Sequence, residues 1–258
     1  WNVADYNDSV TKIIVEEGVT ALCKKAFNSL TQEFTISLPG TLTKIDGDFN
    51  KCTKLTSVTF AEEGSLKNIY AWSFSGCSAL KEVKLPNNAE TKVHNAAFNN
   101  CWALNYVTLG DKTTSILENA FNNCSALTEI VIPASVATLG DATNGSAFTG
   151  CSALSKVTFL GADTEILPAD ANGIPSSATI YGFKGSTAET YASDYNRTFV
   201  RITTVASGTC GENLTWTLCA NGELVISGTG DMADFEFEDA PWYNYRSFFE
   251  SVKIKNGA

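Results

Sequence analysis

The chain has one histidine, His94, and one methionine among its 258 residues. A hydrolytic triad needs a histidine beside an ordered nucleophile, and no second histidine and no marked serine or cysteine partner accompanies His94. We therefore expect His94 to lie at the surface or at the edge of a repeat. A glycine-rich phosphate loop is missing too, so an enzyme is the class of protein with the least support.

Long apolar runs and excess positive charge are also missing. No stretch approaches the roughly 20 apolar residues of a membrane helix, so we predict no direct membrane span. The 18 lysines and arginines face 28 aspartates and glutamates, and the net charge of −10 argues against nucleic acid or an anionic membrane as partner. The chain begins with tryptophan and shows no signal peptide, and we expect it to be a segment of a longer protein.

Five of the eight cysteines recur at intervals of 25, 24, 23 and 27 residues. That spacing is too long for the closely paired ligands of zinc fingers and ribbons, and a period in this range predicts a solenoid. Each cysteine has a phenylalanine three residues before it and a leucine three residues after it. A valine or isoleucine follows at six residues and another large apolar residue at eight. The five are Cys52, Cys77, Cys101, Cys124 and Cys151.

The repeat unit reads A-F-x-x-C-x-x-L-x-x-V-x-L-P, and its V-x-L places apolar residues on one face of a short strand. One strand cannot bury that face alone, so we expect stacked coils, about 4.8 Å apart, with a parallel sheet and continuous columns of phenylalanine, cysteine and leucine. A diverged coil with Phe27 precedes them and has Leu30 in the cysteine slot. A second inward stretch is predicted at Leu42/Ile45, Leu66/Ile69, Ile116/Leu117 and Val136/Leu139.

These coils resemble the BspA-type leucine-rich repeats of surface proteins from anaerobic and gut bacteria, over about Ile13 to Pro168. The resemblance implies an α/β-type repeat solenoid: a right-handed leucine-rich-repeat solenoid with a parallel β-sheet on its concave face. A small β-hairpin module is predicted to follow it.

We predict two domains: residues 1–202, a solenoid that ends in a strand-helix-strand cap at about 179–202, and residues 203–258. Ser186 and Glu189 form a capping-box signature for the helix of the cap. In the second domain a loop of Ala220, Asn221 and Gly222 is expected to connect two strands, with Gly222 at a positive-φ position. It pairs Leu218 with Leu224 and Trp216 with Ile226, which keeps one face apolar. Residues 252–258 resemble 13–19, and both follow a Trp and a Tyr, so we expect a further repeat to start there.

The other candidate chemistry has simpler explanations. We expect the cysteine column to be buried and reduced, because its side chains run parallel, and Cys23 to be a diverged core position. The sequence leaves open whether Cys210 and Cys219 are bridged. Asp46-Gly47-Asp48 lacks the later ligands of a calcium loop and is read as a turn. The acidic run 231–239 favours a solvated loop, with calcium binding left open. We predict no catalytic residue, cofactor or metal site.

The outward face of the sheet is the best candidate for a binding site. Residues that alternate with the inward V-x-L positions form a stripe roughly 24 Å long, with Tyr106 in its middle. An aromatic side chain among charges is typical of a protein-binding anchor. The predicted ligand-binding residues are Glu82, Lys84, Tyr106, Thr108, Glu129 and Lys156.

The resemblance implies a non-enzymatic adhesion module, extracellular or on the cell surface. Its expected partner is a protein, such as one of the host extracellular matrix or of a cell surface. A structural spacer or scaffold is the alternative. A carbohydrate-binding module is a third hypothesis and would need exposed, coplanar aromatic rings at Trp242 with Tyr243 or Tyr245.

Overall fold

The computed structural model describes residues 10–87, 89–141, 145–167, 173–220, 222–236, 239–243, 245 and 250–255. It forms two compact units, residues 1–200 and 201–258, which we take in turn. The strands and the helix that begin in the first unit are β1 (Lys12–Ile14), β2 (Phe34–Leu38), β3 (Lys44–Ile45), β4 (Leu55–Phe60), β5 (Asn68–Ile69), β6 (Glu82–Lys84), β7 (Lys92–Val93), β8 (Tyr106–Thr108), β9 (Ser115–Ile116), β10 (Glu129–Ile132), β11 (Thr138–Leu139), β12 (Lys156–Phe159), β13 (Glu165–Ile166), β14 (Thr179–Gly182), α1 (Thr187–Asp194) and β15 (Phe199–Arg201).

The V-x-L segments form the predicted strands of a parallel solenoid. Strands β1, β2 and β4 pair in parallel, as do β6 with β8 and β10 with β12 and β14. Within the paired strands the register sets a repeat valine or isoleucine against its counterpart one coil away, as in Ile36 opposite Val58 and Val83 opposite Val107. These residues are buried while their strand neighbours are not, so the period-two prediction is confirmed.

The second inward stretch forms its own parallel sheet, in the order β13, β11, β9, β7, β5, β3. Ile45, Ile69 and Ile116 are fully buried in it. The prediction for Leu117 is wrong: it follows the last residue of β9 and is only partly buried, because alternation turns the residue after Ile116 away from the core. The inner position before Ile116 belongs to Thr113, which is buried.

The prediction for Cys23 is also wrong, because its side chain is exposed. A parallel bridge joins Ala21 to Lys44, and this register places Leu22 beside the buried Ile45. Leu22 packs against the core, and Cys23 falls on the outward side, level with Asp46.

The phenylalanine slot forms a stack of rings through the coils. Consecutive ring centroids lie 5.0 to 5.8 Å apart and the rings are tilted by 2° to 11°, which matches the spacing of parallel strands. The stacked residues are Phe27, Phe49, Phe74, Phe98, Phe121 and Phe148.

The cysteine slot is buried, as predicted, and its thiols link successive coils. Each Sγ donates a hydrogen bond to the carbonyl oxygen of the phenylalanine one coil earlier, at distances of 2.8 to 3.3 Å. Burial raises the pKa of Cys52 and of Cys101 to about 12, so the thiols stay protonated and keep donating. The column is therefore a ladder of weak donors in an apolar core.

The first unit ends in the predicted strand-helix-strand segment, β14, α1 and β15. The Ser186 side chain caps the helix by accepting a hydrogen bond from the Glu189 N–H at 3.3 Å. The Glu189 carboxylate in turn accepts from the Gly185 N–H. Ala188 and Tyr191 supply the buried side of the helix, so its apolar face covers the core of the last coils.

The second unit contains the predicted hairpin, in a sheet ordered β16 (Thr204–Thr209), β17 (Leu214–Cys219), β18 (Glu223–Gly228) and β19 (Ser251–Ile254). Leu218 pairs with Leu224 and Trp216 with Ile226, which confirms the preferred register. Gly222 has a φ of 76°, as expected for its position, and Asn221 lies outside the described residues.

Cys210 is buried and Cys219 partly buried, and both are free thiols. Strand β19 adds to β18 in parallel, with Val252 opposite Leu224. Trp1, Tyr6 and residues 256–258, on which the comparison of the two chain ends partly rests, lie outside the described residues.

Candidate binding surfaces

The outward residues of the first sheet form two rows, as the repeat predicts. Within the paired strands the register places Glu82 beside Tyr106 and Glu129 beside Lys156 in one row. The other row includes Lys84 beside Thr108. We call this surface the sheet face; its outward residues are Thr35, Ser37, Ser57, Thr59, Glu82, Lys84, Tyr106, Thr108, Glu129, Val131, Lys156, Thr158, Thr179 and Tyr181.

Tyr106 has the most prominent aromatic ring on the sheet face. Its side chain is 54% exposed, although it stands on strand β8 beside the buried Val107. Strands β6 and β10 lie on either side of β8 and carry Glu82 and Glu129 in the same row. A flat, amphipathic ring is therefore presented between two carboxylates.

Both lysines of the sheet face lie in ion pairs. Lys156 Nζ lies 3.2 Å from Glu129 Oε2, and Lys84 Nζ lies 3.5 Å from Glu62 Oε1 at the end of the preceding coil. Lys156 Nζ also lies 5.4 Å from the ring centre of Tyr181. Tyr181 extends the sheet face by one strand beyond the predicted residues, and the alternation of Thr179, Ile180 and Tyr181 is the signal that could have found it.

His94 sits at the edge of a coil, as predicted. Its Nε2 lies 2.9 Å from Asn68 Oδ1, and its ring packs 4.8 Å from the ring of Tyr70. Partial burial, with Lys92 nearby, lowers the pKa of His94, which favours the neutral ring. These contacts give the imidazole a structural role in the coil.

Metal coordination finds no support in the described part of the chain. Within those residues no three histidine, cysteine, aspartate or glutamate side chains are grouped to hold an ion. The exposed Asp231, Asp234 and Glu236 of the acidic run are included in that statement, whereas Glu238 lies outside the described residues.

The aromatic residues proposed for sugar stacking in the second unit belong to its small core. Trp242 meets Trp216 edge-on at 6.1 Å and 77°, and Tyr245 lies 6.0 Å from Trp216 at a tilt of 46°. Both pack against buried residues around Trp216. Trp242 and Tyr245 are therefore partly buried core rings, whereas stacking on a sugar would need exposed ones.

A cleft that the sequence did not predict lies at the turns of the first three coils. It has a volume of about 560 Å³, within the ~300–1,000 Å³ of small-ligand sites. Its lining residues are Lys24, Lys25, Asn28, Ser29, Asp46, Gly47, Asn50, Lys51, Tyr70, Ala71 and Trp72.

Asp48 follows Gly47 of the cleft lining and is an ionisable residue buried in the core. Later coils carry Ala97, Ala120 and Ala147 in its slot, directly before the phenylalanine. The side chain is 1% exposed; Oδ2 accepts a hydrogen bond from the Asp46 N–H at 2.8 Å, and Oδ1 has no partner. Burial is the largest cause that raises the pKa of Asp48 above its ordinary value of 3.8.

We expect Asp48→Asn to raise the free energy of unfolding at pH 7 by about 1 kcal/mol, because it removes a desolvated charge and keeps an acceptor for the Asp46 N–H. Because the folded-state pKa is raised, the native wild-type protein gains stability as pH falls through that pKa toward 3.8. The advantage of the variant should therefore shrink toward pH 4. Urea unfolding of both proteins at pH 7 and pH 4 measures it, and an advantage that grows at pH 4 would contradict this account.

The fold and the sheet face together define a class of protein: a leucine-rich-type solenoid with an open, mixed-charge sheet face. The profile of the BspA type Leucine rich repeat region matches in six copies, over residues 3–92 and 89–169. These ranges cover more than half of the chain, which therefore belongs to the BspA-type leucine-rich-repeat family.

Several solved structures are similar to parts of this chain. A leucine-rich-repeat protein of T. pallidum is similar over 57% of this chain and 72% of its own, with 25% identity and a TM-score of 0.50. A leucine-rich cell surface protein of Faecalibacterium prausnitzii matches 84% of this chain and 53% of its own, with 23% identity and a TM-score of 0.41. The pneumococcal vaccine antigen PcpA matches 74% of this chain and 79% of its own, with 14% identity and a TM-score of 0.37. A comparison with curated proteins finds no match.

No helix in the part of the chain that the structure describes is both long and apolar enough to cross a membrane.

Proposed function

We propose that this chain is a non-enzymatic protein-binding module, extracellular or on the cell surface, whose sheet face binds a protein ligand. The observation that carries the proposal is Tyr106, an exposed aromatic ring at mid-face between carboxylates. Membership of the BspA-type family supports the surface location and the protein partner. A protein of the host extracellular matrix or of a cell surface fits this role.

The charges of the sheet face suit a polar interface rim around that ring. The pairs Lys156–Glu129 and Lys84–Glu62 are solvent-exposed, and such pairs contribute only about 0–1 kcal/mol each. A partner can therefore exchange them for its own charges at little cost. Both signs are present along the face, which favours a partner with a mixed-charge surface over a strongly acidic or basic one.

A spacer that displays other modules is the second candidate function. The observation that favours it is the unbroken stack of rings together with the continuous six-stranded parallel sheet, since a continuous core stiffens the solenoid. We also propose that residues 1–202 and 203–258 fold as separate modules within a longer protein.

Tyr106→Ala is expected to weaken binding of a protein ligand by about 30-fold, equivalent to about 2 kcal/mol, as for a central aromatic anchor. Its melting temperature should stay close to that of the wild type, since the ring is exposed. The measurement is surface binding of the chain to an array of immobilised matrix and cell-surface proteins, followed by titration of each hit.

Trp102→Ala is the matched control, because Trp102 is an equally exposed aromatic residue, at 57%, in a turn away from the strands. It should bind as the wild type does. If Tyr106→Ala and the wild type bind the ligand with equal affinity, Tyr106 does not belong to the site. Failure of the wild type to bind any protein in the array would leave the spacer as the favoured function.

A further inference from the structure

The cleft at the turns of the first three coils is rich in positive charge, although the protein as a whole is acidic. Lys24, Lys25 and Lys51 line it together with one carboxylate at the rim, Asp46, whereas the whole chain has a net charge of −10. Lys24 Nζ lies 3.5 Å from Asp46 Oδ1, and the other two lysines are exposed. The further carboxylate nearby, that of Asp48, is buried. The solvent-facing groups of the cleft therefore favour an anion.

Several left-handed backbone positions at the cleft carry residue types that are unusual there. Every coil turns through left-handed positions, and elsewhere in the solenoid these are filled largely by glycine or asparagine, as at Gly76, Asn100, Asn119, Asn123 and Gly150. At the cleft the same positions carry Lys25 (φ 64°), Lys51 (φ 61°) and Trp72 (φ 65°), beside the small Gly47 (φ 71°) and Ser29 (φ 60°). Long side chains are unfavourable there, because left-handed backbone brings Cβ against the carbonyl oxygen.

The three long side chains at left-handed positions all line the same cleft. Glycine or asparagine would suit the fold better at each of them. Because residue types that are unfavourable at left-handed positions cluster at this cleft, we expect their side chains to have a function there.

Trp72 indicates a second feature of the ligand besides its negative charge. Its side chain is 53% exposed at the cleft wall, and Asn50 Nδ2 holds its carbonyl oxygen at 3.2 Å. An indole ring offers a flat apolar surface, while Asn28 and Asn50 add amide groups at the lining. A ligand that satisfies all three features has a flat face of C–H groups, several hydroxyls and a negative charge.

We propose that this cleft binds an acidic sugar residue, one that carries a carboxylate or a sulfate ester. The ring of the sugar packs on Trp72, its hydroxyls bond the asparagine amides, and Lys25 and Lys51 bind the anionic group. An acidic peptide offers the charge but not the flat ring of C–H groups. Nucleic acid would bring many phosphates against a protein of net charge −10.

The test compares two double variants with the same change of charge. Lys25→Asn/Lys51→Asn removes the two cleft lysines and places at left-handed positions a residue that tolerates them. Lys112→Asn/Lys184→Asn removes two exposed lysines that do not line the cleft. Calorimetric titrations use 3′-sialyllactose, lactose as its neutral match, a heparin-derived tetrasaccharide and a hexaglutamate peptide.

The wild type should bind an acidic saccharide and not lactose, with affinity that falls as salt is raised. Lys25→Asn/Lys51→Asn should lower that affinity by about tenfold or more. Its melting temperature should stay the same or rise, which separates lost recognition from lost folding. Lys112→Asn/Lys184→Asn and Tyr106→Ala should bind the saccharide as the wild type does. Binding of sialyllactose alone indicates a carboxylate ligand, and binding of the heparin tetrasaccharide alone indicates a sulfated one. Either result supports the proposal.

The proposal is overturned if no acidic saccharide binds at millimolar concentration, or if lactose or hexaglutamate binds as tightly. It is also overturned if both double variants lose affinity equally, since the effect would then be one of overall charge. Trp72→Ala provides an independent readout: unchanged saccharide affinity in this variant would remove the ring-packing part and with it the assignment to a sugar.

Discussion

Cys101→Asp is expected to lower the free energy of unfolding of the solenoid by about 4 kcal/mol or more at neutral pH. Cys101 is fully buried in mid-column, and its Sγ donates to the Phe74 carbonyl oxygen at 3.2 Å. A carboxylate there would face that oxygen without a donor of its own. Its neighbours in the column, Cys77 and Cys124, are thiols with raised pKa that cannot neutralise it. Guanidinium unfolding followed by circular dichroism measures the loss.

The pH dependence of this loss follows from burial. The introduced carboxyl group would have a folded-state pKa raised above its ordinary value of about 3.9, so the native state would bind a proton more readily than the unfolded state. Stability is then lost as pH rises through the range between those two pKa values. The penalty of Cys101→Asp should accordingly be smaller at pH 4 than at pH 8.

Two smaller substitutions separate charge from packing. Cys101→Ser keeps a donor to the Phe74 carbonyl, and Cys101→Ala removes it, so each should cost less than the aspartate. If Cys101→Asp were as stable as Cys101→Ala, the column would have to be open to water.

The repeat made the interior of the solenoid predictable because it records one physical requirement many times. Each coil must bury a phenylalanine, a cysteine and a leucine at fixed offsets, and a single misread position is corrected by the next coil. The hairpin register followed from the same principle on a smaller scale, since only one pairing kept Trp216 and Ile226 on the same face.

Both errors concern an apolar residue that lies directly next to the true inward position. The diverged first coil predicts a core position for Cys23, whereas the bridge from Ala21 to Lys44 puts Leu22 in the inward position. The sequence analysis pairs Leu117 with Ile116, whereas the three-residue spacing of Leu42/Ile45 and Leu66/Ile69 selects the polar Thr113. Spacing is therefore better evidence for an inward side chain than apolar character alone.

The cleft could not be predicted from the periodicity. It is built from residues on different coils, such as Lys25, Lys51 and Trp72, which are 26 and 21 positions apart, and each looks like ordinary variation within its own coil. One signal was present in the sequence: the position before the cysteine holds glycine or asparagine in four coils and Lys51 in another. Recognising it required the φ angle, which only the structure supplies.

Phe98→Ala removes a central ring of the stack and should cost about 3–5 kcal/mol in free energy of unfolding. Phe98 is fully buried and stacks on two rings, Phe74 at 5.1 Å and Phe121 at 5.3 Å. Alanine would leave a cavity between them, and neither neighbouring ring can move far into it while the strands above and below hold the coil spacing. Thermal and guanidinium unfolding measure the effect.

Phe148→Ala is the matched control for Phe98→Ala, because Phe148 is also buried, at 1% exposure, but ends the stack and contacts only the Phe121 ring in it, at 5.8 Å. In a stack stabilised by contacts between neighbouring coils, removing a central ring disrupts two interfaces, whereas removing an end ring disrupts one. The central variant should therefore lose clearly more stability than the terminal one. Equal losses would show that each ring contributes mainly through burial within its own coil, and that the stack adds little between coils.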